Sequence, residues 1–330
     1  MSGPRDDNGP GTPCGPPNGI PRAPLAYENS AFLDSPDGRI LRIVSEYSEP
    51  LARFRREQIQ DTVVFFGSAR FHPLDKAHQQ LELLANTDAV QLAPPEEQPA
   101  SAQEAEAGSA SQLRLRRAEA AVEMAQYYED ARRLAYLLTE WSLGLKSRRH
   151  RFVVTSGGGA GIMEAANRGA HEAGGKTIGL NIRLPFEQCP NPYVTPSLNF
   201  EFHYFFMRKY WFAYLSKALV VFPGGFGTID EMFEMLTLAQ TQKLNKRMTI
   251  LIYGSAFWKQ VLNVDAMVEK GVIAPGDRDL LQMVDTPEAA FEKLKEGLTR
   301  NHLIPEAEYL AKSGGKDEEH SIAPEIAPTL

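Results

Sequence analysis

Two glycine-rich turns restrict the fold of this chain more than any other feature, because each joins a short apolar run to a helical pattern. The run at 152–155 leads into Ser-Gly-Gly-Gly-Ala-Gly at 156–161, and the run at 218–222 leads into Pro-Gly-Gly-Phe-Gly-Thr at 223–228. Short apolar runs bounded by turn residues are typical of strands buried on both faces. A strand, a tight turn and a helix in this order form the repeating unit of a parallel sheet.

Apolar runs at 61–66 and 248–253 extend the same alternation and predict two more strands, and a further strand is predicted at 177–181. Helical patterns are predicted between and around them, at 38–60 with an interruption near Pro50, 114–143, 205–217, 256–270 and 286–297. The Pro-rich region 182–200 is predicted as a loop. Strands that alternate with helices indicate an α/β fold, a Rossmann-like doubly wound parallel sheet with helices on both faces.

Composition predicts how the chain is divided. Residues 1–30 contain seven prolines and five glycines and are expected to be a disordered leader. A single Rossmann-like domain is predicted over 31–310, with a flexible insertion at about 92–113 that is rich in Ala, Pro, Glu and Ser. The polar tail at 311–330 is again expected to be disordered.

Charge and cysteine content exclude several classes of protein. The net charge is −7, which argues against a nucleic-acid-binding surface. No apolar run reaches the ~18 residues that span a bilayer, and the N-terminus lacks the apolar core of a signal peptide. Only two cysteines are present, so a disulfide framework or a cysteine zinc site is not expected. We therefore expect a cytoplasmic protein without a membrane or nucleic-acid partner.

The glycine turns predict a site for an anionic ligand. Glycines allow a ligand to approach the backbone closely, and the helix that follows offers unpaired N–H groups and the positive end of its dipole to phosphate. Glu231 lies about one turn into the helix after the second turn, which places a carboxylate beside that phosphate seat. The alternative is a pair of tight turns that serve packing alone. Neither a dinucleotide-binding glycine pattern after the first strand nor a phosphate-loop lysine is present, so no cofactor is expected.

Charged residues near the second turn suggest further ligand contacts. Arg208 lies among aromatic residues, where its guanidinium either reaches substrate oxygens or forms a structural salt bridge, and the same alternatives apply to Lys209. His203 is a possible proton carrier, although a lone histidine is more often structural. Asp230 and Glu164 lie near helix starts, where they can simply complement the helix dipole.

Three blocks of this sequence together resemble the LONELY GUY (LOG) family. They are 157–165 with its GGGxxGxM-type turn, the Met-Arg-Lys at 207–209, and the PGGxGTxxE motif at 223–231. The resemblance covers roughly residues 60–300 and is greatest to the longer bacterial-type branch, formerly labelled "lysine decarboxylase". It implies a Rossmann-like fold, an assembly of two or more copies, and hydrolysis of nucleoside 5′-monophosphates to free base and ribose 5-phosphate.

The resemblance also implies roles for individual residues. Arg208 and Glu231 match the family's catalytic pair, and no metal is expected. The residues expected to bind phosphate and ribose are Ser68, Gly157, Gly158, Gly159, Gly161, Met207, Lys209, Gly224, Gly225, Gly227 and Thr228. Ala160 departs from the branch, and the insertion after residue 71 together with the Pro-rich loop can reshape the base pocket, so a preference for cytokinin nucleotides does not transfer from the family.

The implied chemistry agrees with the residue pattern. Cleavage of an N-glycosidic bond passes through an oxocarbenium-like ribose, which a carboxylate at Glu231 can stabilise. Lysine decarboxylation is disfavoured, because nothing indicates the Schiff-base lysine that pyridoxal chemistry needs. The alternative from another class is a non-catalytic carrier of a nucleotide or a phosphorylated pterin, as in molybdenum-cofactor carrier proteins. A regulatory protein that senses a nucleotide at the same turns is a third interpretation.

Overall fold

The computed structural model describes residues 23–91, 102–185, 189–244 and 246–304. The chain divides into two units, Met1–Ser48 and Glu49–Leu330, so the predicted domain over 31–310 begins inside the first unit. That unit contains a 3₁₀ turn, Ala26–Glu28, and the short helix α1, Ser30–Leu33. Most of the predicted leader and all of the predicted tail lie outside the described residues.

The second unit contains a seven-stranded sheet in which every neighbouring pair of strands is parallel. The strands are β1 Thr62–Phe66, β2 Val153–Ser156, β3 Thr177–Ile182, β4 Asn199–Phe202, β5 Ser216–Val221, β6 Thr249–Tyr253 and β7 Gln282–Val284. Their order across the sheet is β4-β3-β2-β1-β5-β6-β7. The central strands are buried almost throughout, which explains their continuous apolar runs.

Helices cover both faces of this sheet. The longer helices are α2 Arg39–Arg56, α3 Leu74–Gln91, α4 Ala102–Leu143, α5 Ile162–Glu172, α6 Phe205–Leu215, α7 Phe226–Gln240, α8 Ser255–Val261, α9 Val264–Glu269 and α10 Pro287–Leu298. Alternate residues of β1 point to opposite faces. Val63 and Phe65 join the core beneath α4, α5 and α10, whereas Phe66 meets Phe212 of α6, with 4.8 Å between ring centroids. The α/β fold predicted from the sequence, a doubly wound parallel sheet, is confirmed.

The two strands that lie at the edges of the sheet, β4 and β7, were not predicted. The end of the region predicted as a loop, 182–200, forms a 3₁₀ turn at Pro196–Leu198 and the first residues of β4. Phe200 and Phe202 are buried and Glu201 is exposed, so β4 shows the alternation of a half-covered strand rather than a continuous apolar run. β7 has three residues, which is too few for a recognisable pattern.

Helix α2 runs through Pro50, where an interruption was predicted. A proline inside a helix removes one backbone hydrogen bond, and the remaining bonds together with the buried ring of Pro50 keep this helix continuous. The predicted helix over 256–270 is divided into α8 and α9. The division lies at Asn263, whose side chain accepts the N–H of Ala266 at 2.9 Å and so begins a new helix.

The long helix α4 begins at Ala102 instead of Arg114. The later part of the predicted flexible insertion is therefore helical, in keeping with the high helix propensity of its Ala, Glu and Gln residues. Residues 92–101, the earlier part of that insertion, lie outside the described residues.

The order of the strands determines where a ligand can bind. From β1 the chain moves outward through β2, β3 and β4, then returns and continues on the other side of β1 through β5, β6 and β7. Such a reversal opens a crevice at the carboxyl ends of the central strands. Gly67 follows β1, Gly157 follows β2, and Phe222 leads from β5 to Gly224. Both glycine turns therefore lie at the same edge of the sheet.

Candidate active site

A cleft of about 730 Å³ lies at this edge of the sheet. Its volume is within the range of small-molecule sites. One part of its wall comes from the three turns and from the pair Arg208 and Glu231. The remaining part is mostly apolar and includes Met163, Ile182, Leu184, Phe205, Phe226, Phe257 and Val261. The cleft can therefore hold a ligand that has an anionic end and an apolar end.

The second glycine turn opens directly into the cleft. Gly225 is the N-cap of α7, and no side chain in the described part of the chain caps this helix. A Cβ built on Gly225 or Gly227 would meet nothing within 4 Å, so the space beside both residues is open. The unpaired N–H groups of a helix start and the positive end of its dipole make such a place suitable for an anion.

The first glycine turn is held from behind by Asn191. Its side-chain amide lies 3.0 Å from the carbonyl oxygens of both Gly158 and Gly159 and 2.9 Å from Oδ1 of Asn167, and its backbone N–H donates to Gly158 at 2.8 Å. On the same side, Oγ of Ser156 accepts the N–H of Gly158 at 3.0 Å and donates to Oδ1 of Asn167 at 2.7 Å. Buried polar groups thus fix this turn in one conformation.

Two positions of the first turn require glycine. Gly158 has a φ of 74° and Gly161 a φ of 69°, a region that other residues rarely adopt. A Cβ on Gly161 would also collide with the carbonyl oxygen of Ser68. The glycines of this turn are therefore needed for its backbone shape and for close approach of the turn after β1.

Ser68 joins the two glycine turns through its backbone. Its N–H donates to the carbonyl oxygen of Pro223 at 3.0 Å, and its own carbonyl accepts the N–H of Ile162 at 3.0 Å. Pro223 precedes the second turn and Ile162 is the first residue of α5. The turn after β1 therefore holds the other two turns at a fixed separation.

Arg208 of α6 and Glu231 of α7 form an ion pair in the wall of the cleft. Nη2 of Arg208 donates to Oε1 of Glu231 at 2.8 Å, and the two side chains are 14% and 13% exposed. The guanidinium also lies 5.3 Å and 5.5 Å from the ring centroids of Phe205 and Phe212. Nε of Arg208 is buried and has no hydrogen-bond partner among the described residues. The pair is thus held between aromatic rings, and one buried donor of Arg208 is left without a partner among the described residues.

Burial changes the acidity of both members of this pair. It raises the pKa of Glu231 to about 7, although the nearby Arg208 opposes the increase. Burial also lowers the pKa of Arg208 below its usual value, against the effect of Glu231. An arginine nevertheless stays protonated in proteins. Near neutral pH, Glu231 therefore exchanges between its acid and its carboxylate, as expected for a group that works in proton transfer or charge stabilisation.

Lys209 lies beside Arg208 but contacts a different part of α7. Its Nζ is 2.8 Å from Oδ2 of Asp230 and 3.0 Å from Oε2 of Glu234. Lys209 does not line the cleft, so its observed role is to join α6 to α7.

His203 is exposed and packs against Tyr204, with 4.6 Å between ring centroids.

The structure brings most of the predicted site residues to one cleft. Those that line it are Ser68, Gly157, Arg208, Gly224, Gly225, Gly227, Thr228 and Glu231. Those that do not line it are Gly158, Gly159, Gly161, Met207 and Lys209. Gly158 and Gly159 are turned toward Asn191, and Met207 is buried.

Several residues of the site were not predicted. Arg70 lines the cleft, and its position directly after the central strand was a usable signal. Asn191 was missed although it stands between Pro190 and Pro192, which restrict the backbone around a polar residue. Phe205, Phe226 and the side chains of α8 were not assigned to a ligand, because an aromatic residue in a sequence is more often part of the core.

Comparison with known proteins shows which family this chain resembles. The family model described as "Possible lysine decarboxylase" matches residues 163–294. The chain is 28% identical over 146 residues to "Probable cytokinin riboside 5′-monophosphate phosphoribohydrolase LOGL2" of Oryza sativa subsp. japonica, and 27% identical over 146 residues to "Cytokinin riboside 5′-monophosphate phosphoribohydrolase LOG3" of Arabidopsis thaliana. The family model and the names of these relatives support a member of the LOG family, at identities below 30%. The resemblance found in the three sequence blocks is thereby confirmed.

The similarity to LOG proteins covers only part of each chain. The alignments span 44% of this chain, 59% of LOGL2 and 66% of LOG3. Among solved structures, the molybdenum-cofactor carrier protein from Chlamydomonas reinhardtii aligns over 73% of this chain and 99% of its own, with 17% identity and a TM-score of 0.38. None of the helices in the described ranges combines the length and apolar character of a membrane span.

Proposed function

We propose that this LOG-family protein hydrolyses the N-glycosidic bond of a nucleoside 5′-monophosphate, AMP or an N6-modified AMP, and releases the free base and ribose 5-phosphate. The observation that carries this proposal is the buried pair of Arg208 and Glu231 beside the uncapped start of α7 in one cleft. The names of the curated relatives, which describe phosphoribohydrolases of cytokinin riboside 5′-monophosphates, support the same reaction class.

The 5′-phosphate is assigned to the second glycine turn. Gly225, Gly227 and Thr228 line the cleft, and the first-turn N–H groups of α7 supply donors and a favourable dipole. The open space beside the two glycines allows the phosphate oxygens to approach the backbone. This arrangement anchors the nucleotide at its phosphate and leaves the sugar next in line along α7.

Glu231 is assigned to the sugar. Thr228 and Glu231 are three residues apart, so they lie on the same side of α7 and both line the cleft. As the bond to the base breaks, positive charge develops on the ribose ring, and a carboxylate in a site with little water stabilises it. The ionised form of Glu231 also accepts a proton from the attacking water, whose oxygen forms the new bond to the sugar.

Arg208 is assigned to the departing base. Its guanidinium lies over Phe205 in the apolar part of the wall, and it keeps Glu231 in place through the 2.8 Å bond. A cation near the base stabilises the electron pair that the base takes with it when the glycosidic bond breaks. The base takes up a proton and Glu231 releases the one that it accepted from the water, so that one water molecule is consumed for each bond cleaved.

The test is base release from a panel of purine and pyrimidine nucleoside 5′-monophosphates, N6-modified AMP included, measured by chromatography. We expect Glu231→Gln to lower kcat by about 100-fold or more while nucleotide binding remains. Glu234→Gln is the matched control, because Glu234 lies on the same helix, pairs with Lys209 and does not line the cleft.

Two results would contradict the proposal. One is a wild-type protein that releases base from no member of the panel, and retention of an unaltered nucleotide or pterin in that protein would favour a carrier. The other is equal activity of the Glu231→Gln and Glu234→Gln proteins, because only the first substitution changes the wall of the cleft.

A further inference from the structure

Asn191 makes several hydrogen bonds to the first glycine turn although it does not line the cleft. We infer that it is a positioning residue for substrate binding, which fixes the first glycine turn and so holds Gly157 in place in the wall of the nucleotide cleft. This inference rests on the proposed function and goes beyond it, because it assigns a role in substrate affinity to a buried amide that lies outside the cleft.

The hydrogen bonds of Asn191 define the conformation of the turn. Its side-chain amide lies 3.0 Å from each of two successive carbonyl oxygens, those of Gly158 and Gly159. Its own Oδ1 accepts the N–H of Tyr193 at 3.2 Å, so the amide is held from both sides. Asn191 is only 7% exposed, and water therefore cannot readily replace these bonds.

The orientation of the two peptide groups follows from these bonds. In a trans peptide, the C=O and the N–H point in opposite directions, and no cis peptide occurs in the described part of the chain. Because the carbonyls of Gly158 and Gly159 point toward Asn191, the N–H groups of Gly159 and Ala160 point away from it. Asn191 thus fixes the direction of the two peptide groups that follow Gly157, the residue of this turn that lines the cleft, and a wall that is already fixed binds a ligand at a lower entropy cost.

The same turn lies beside Arg208 of the proposed catalytic pair. Gly157 lines the cleft, and a Cβ built on it would lie 3.9 Å from Nη1 of Arg208 and 2.7 Å from Sδ of Met163. The turn is therefore enclosed between Asn191 on one side and Arg208 on the other. A turn released from Asn191 would move relative to Arg208 and change the shape of the cleft.

A second network shows that the turn is anchored behind the cleft. Oδ1 of Asn167 receives hydrogen bonds from both Asn191 and Ser156, and Nδ2 of Asn167 lies 3.3 Å from the carbonyl of Ile178 in β3. The turn is thereby connected to the sheet through side chains that do not meet the substrate. We therefore expect these side chains to affect how tightly the substrate binds, equally in the ground state and in the transition state, and not the rate of the chemical step.

The test compares KM and kcat for base release, together with the Kd of AMP measured by calorimetry. We expect Asn191→Ala to raise KM and Kd about tenfold while kcat changes less than about threefold, because the loss of uniform binding acts on KM alone. A purely structural role would lower the unfolding temperature and the active fraction of the protein without a change in KM.

Two further variants distinguish the hydrogen bonds that the Asn191 amide donates from the space that its side chain fills. Asn191→Asp has the same shape but places carboxylate oxygens against the carbonyls of Gly158 and Gly159, so we expect it to raise KM at least as much as alanine does. Thr195→Val is the matched control. Thr195 lies in the same loop as Asn191, and its Oγ1 accepts the N–H of Thr177 at 2.9 Å. The valine variant loses this hydrogen bond, but Thr177 lies in β3 and not in the glycine turn.

If the alanine variant fails to fold, Ser156→Ala tests the same turn from its other support, and we expect a rise in KM of about threefold. Unchanged KM and Kd in the folded Asn191 variants, or in Ser156→Ala, overturn this inference and leave the proposed function standing. A wild-type protein that neither binds nor cleaves a monophosphate overturns the proposed function and this inference with it.

Discussion

The two glycine turns resemble each other in sequence but differ in what they do in the structure. In the first turn, positive φ angles at Gly158 and Gly161 and the contacts with Asn191 leave little freedom. In the second turn, Gly225 has a φ of −93° and open space beside it. The first turn uses glycine to adopt a backbone shape, whereas the second uses glycine to leave room.

The difference extends to the helices that follow. The first N–H of α5, at Ile162, already donates to Ser68. The start of α7 has no side-chain cap within the described residues and faces the cleft. Two similar motifs at one edge of a sheet have thus become a fixed wall and an open binding surface. A glycine-rich motif alone therefore does not show which of its residues bind a ligand.

The largest expected effect is on the fixed turn. Gly161→Ala introduces a Cβ at a φ of 69° and against the carbonyl of Ser68, and we expect it to lower the free energy of unfolding by about 3 kcal/mol or more. Denaturant unfolding followed by circular dichroism measures this loss. A variant as stable as the wild-type protein would show that the first turn is not fixed in this way.

The open turn is expected to respond in activity instead. Gly225→Ala places a methyl group where the phosphate is assigned, and we expect kcat/KM for AMP to fall about tenfold, by about 1.4 kcal/mol of transition-state binding. The free energy of unfolding should change by less than about 0.5 kcal/mol, because the new Cβ meets no protein atom within 4 Å. Loss of stability without loss of activity would reverse the roles assigned to the two turns.

The carboxyl group that follows the open turn makes its chemistry dependent on pH. Burial raises the pKa of Glu231 to about 7, so the carboxylate fraction increases from about one tenth at pH 6 to about nine tenths at pH 8. If the carboxylate is the active form, kcat/KM for base release rises about tenfold over this interval. A flat or falling profile in the wild-type protein would contradict this assignment, and Glu234→Gln should keep the rising profile.

The smallest expected effect is a gain in stability at Gly227. This residue lies in the first turn of α7, and a Cβ there would meet nothing within 4 Å. Gly227→Ala should raise the free energy of unfolding by about 0.5–1 kcal/mol, because alanine favours the helix and restricts the unfolded chain. Denaturant unfolding of Gly227→Ala and Gly161→Ala should show changes in the free energy of unfolding of opposite sign. Changes of the same sign would contradict the conclusion that only the first turn needs glycine for its backbone shape.

The central part of the fold was predictable from the sequence because its strands are buried on both faces. β1, β2, β5 and β6 each contain or directly follow a continuous apolar run, β3 has buried Ile178 and Leu180 between small or polar residues, and glycine turns mark where β2 and β5 end. The edge strands β4 and β7 have a neighbour on one side only, and their short segments carry a weaker pattern. Whether they form strands depends on pairing with β3 and β6, which a local pattern does not contain.

The site was predictable to a similar depth. The glycine turns follow from local backbone chemistry, and their shared edge follows from the fold. The pairing of Arg208 with Glu231 came from the resemblance to the LOG family, because the two residues lie on different helices. Asn191 contacts glycines that lie 33 and 32 positions earlier in the chain, and the residues around Asn191 do not specify those partners.

The link that Ser68 makes between the two turns belongs entirely to the main chain. Exchange of its side chain, by mutation or by drift among related proteins, leaves both of these hydrogen bonds intact. Proline is the exception, because it has no N–H with which to reach Pro223. Sequence variability at this position would therefore not mean that the two backbone hydrogen bonds are absent.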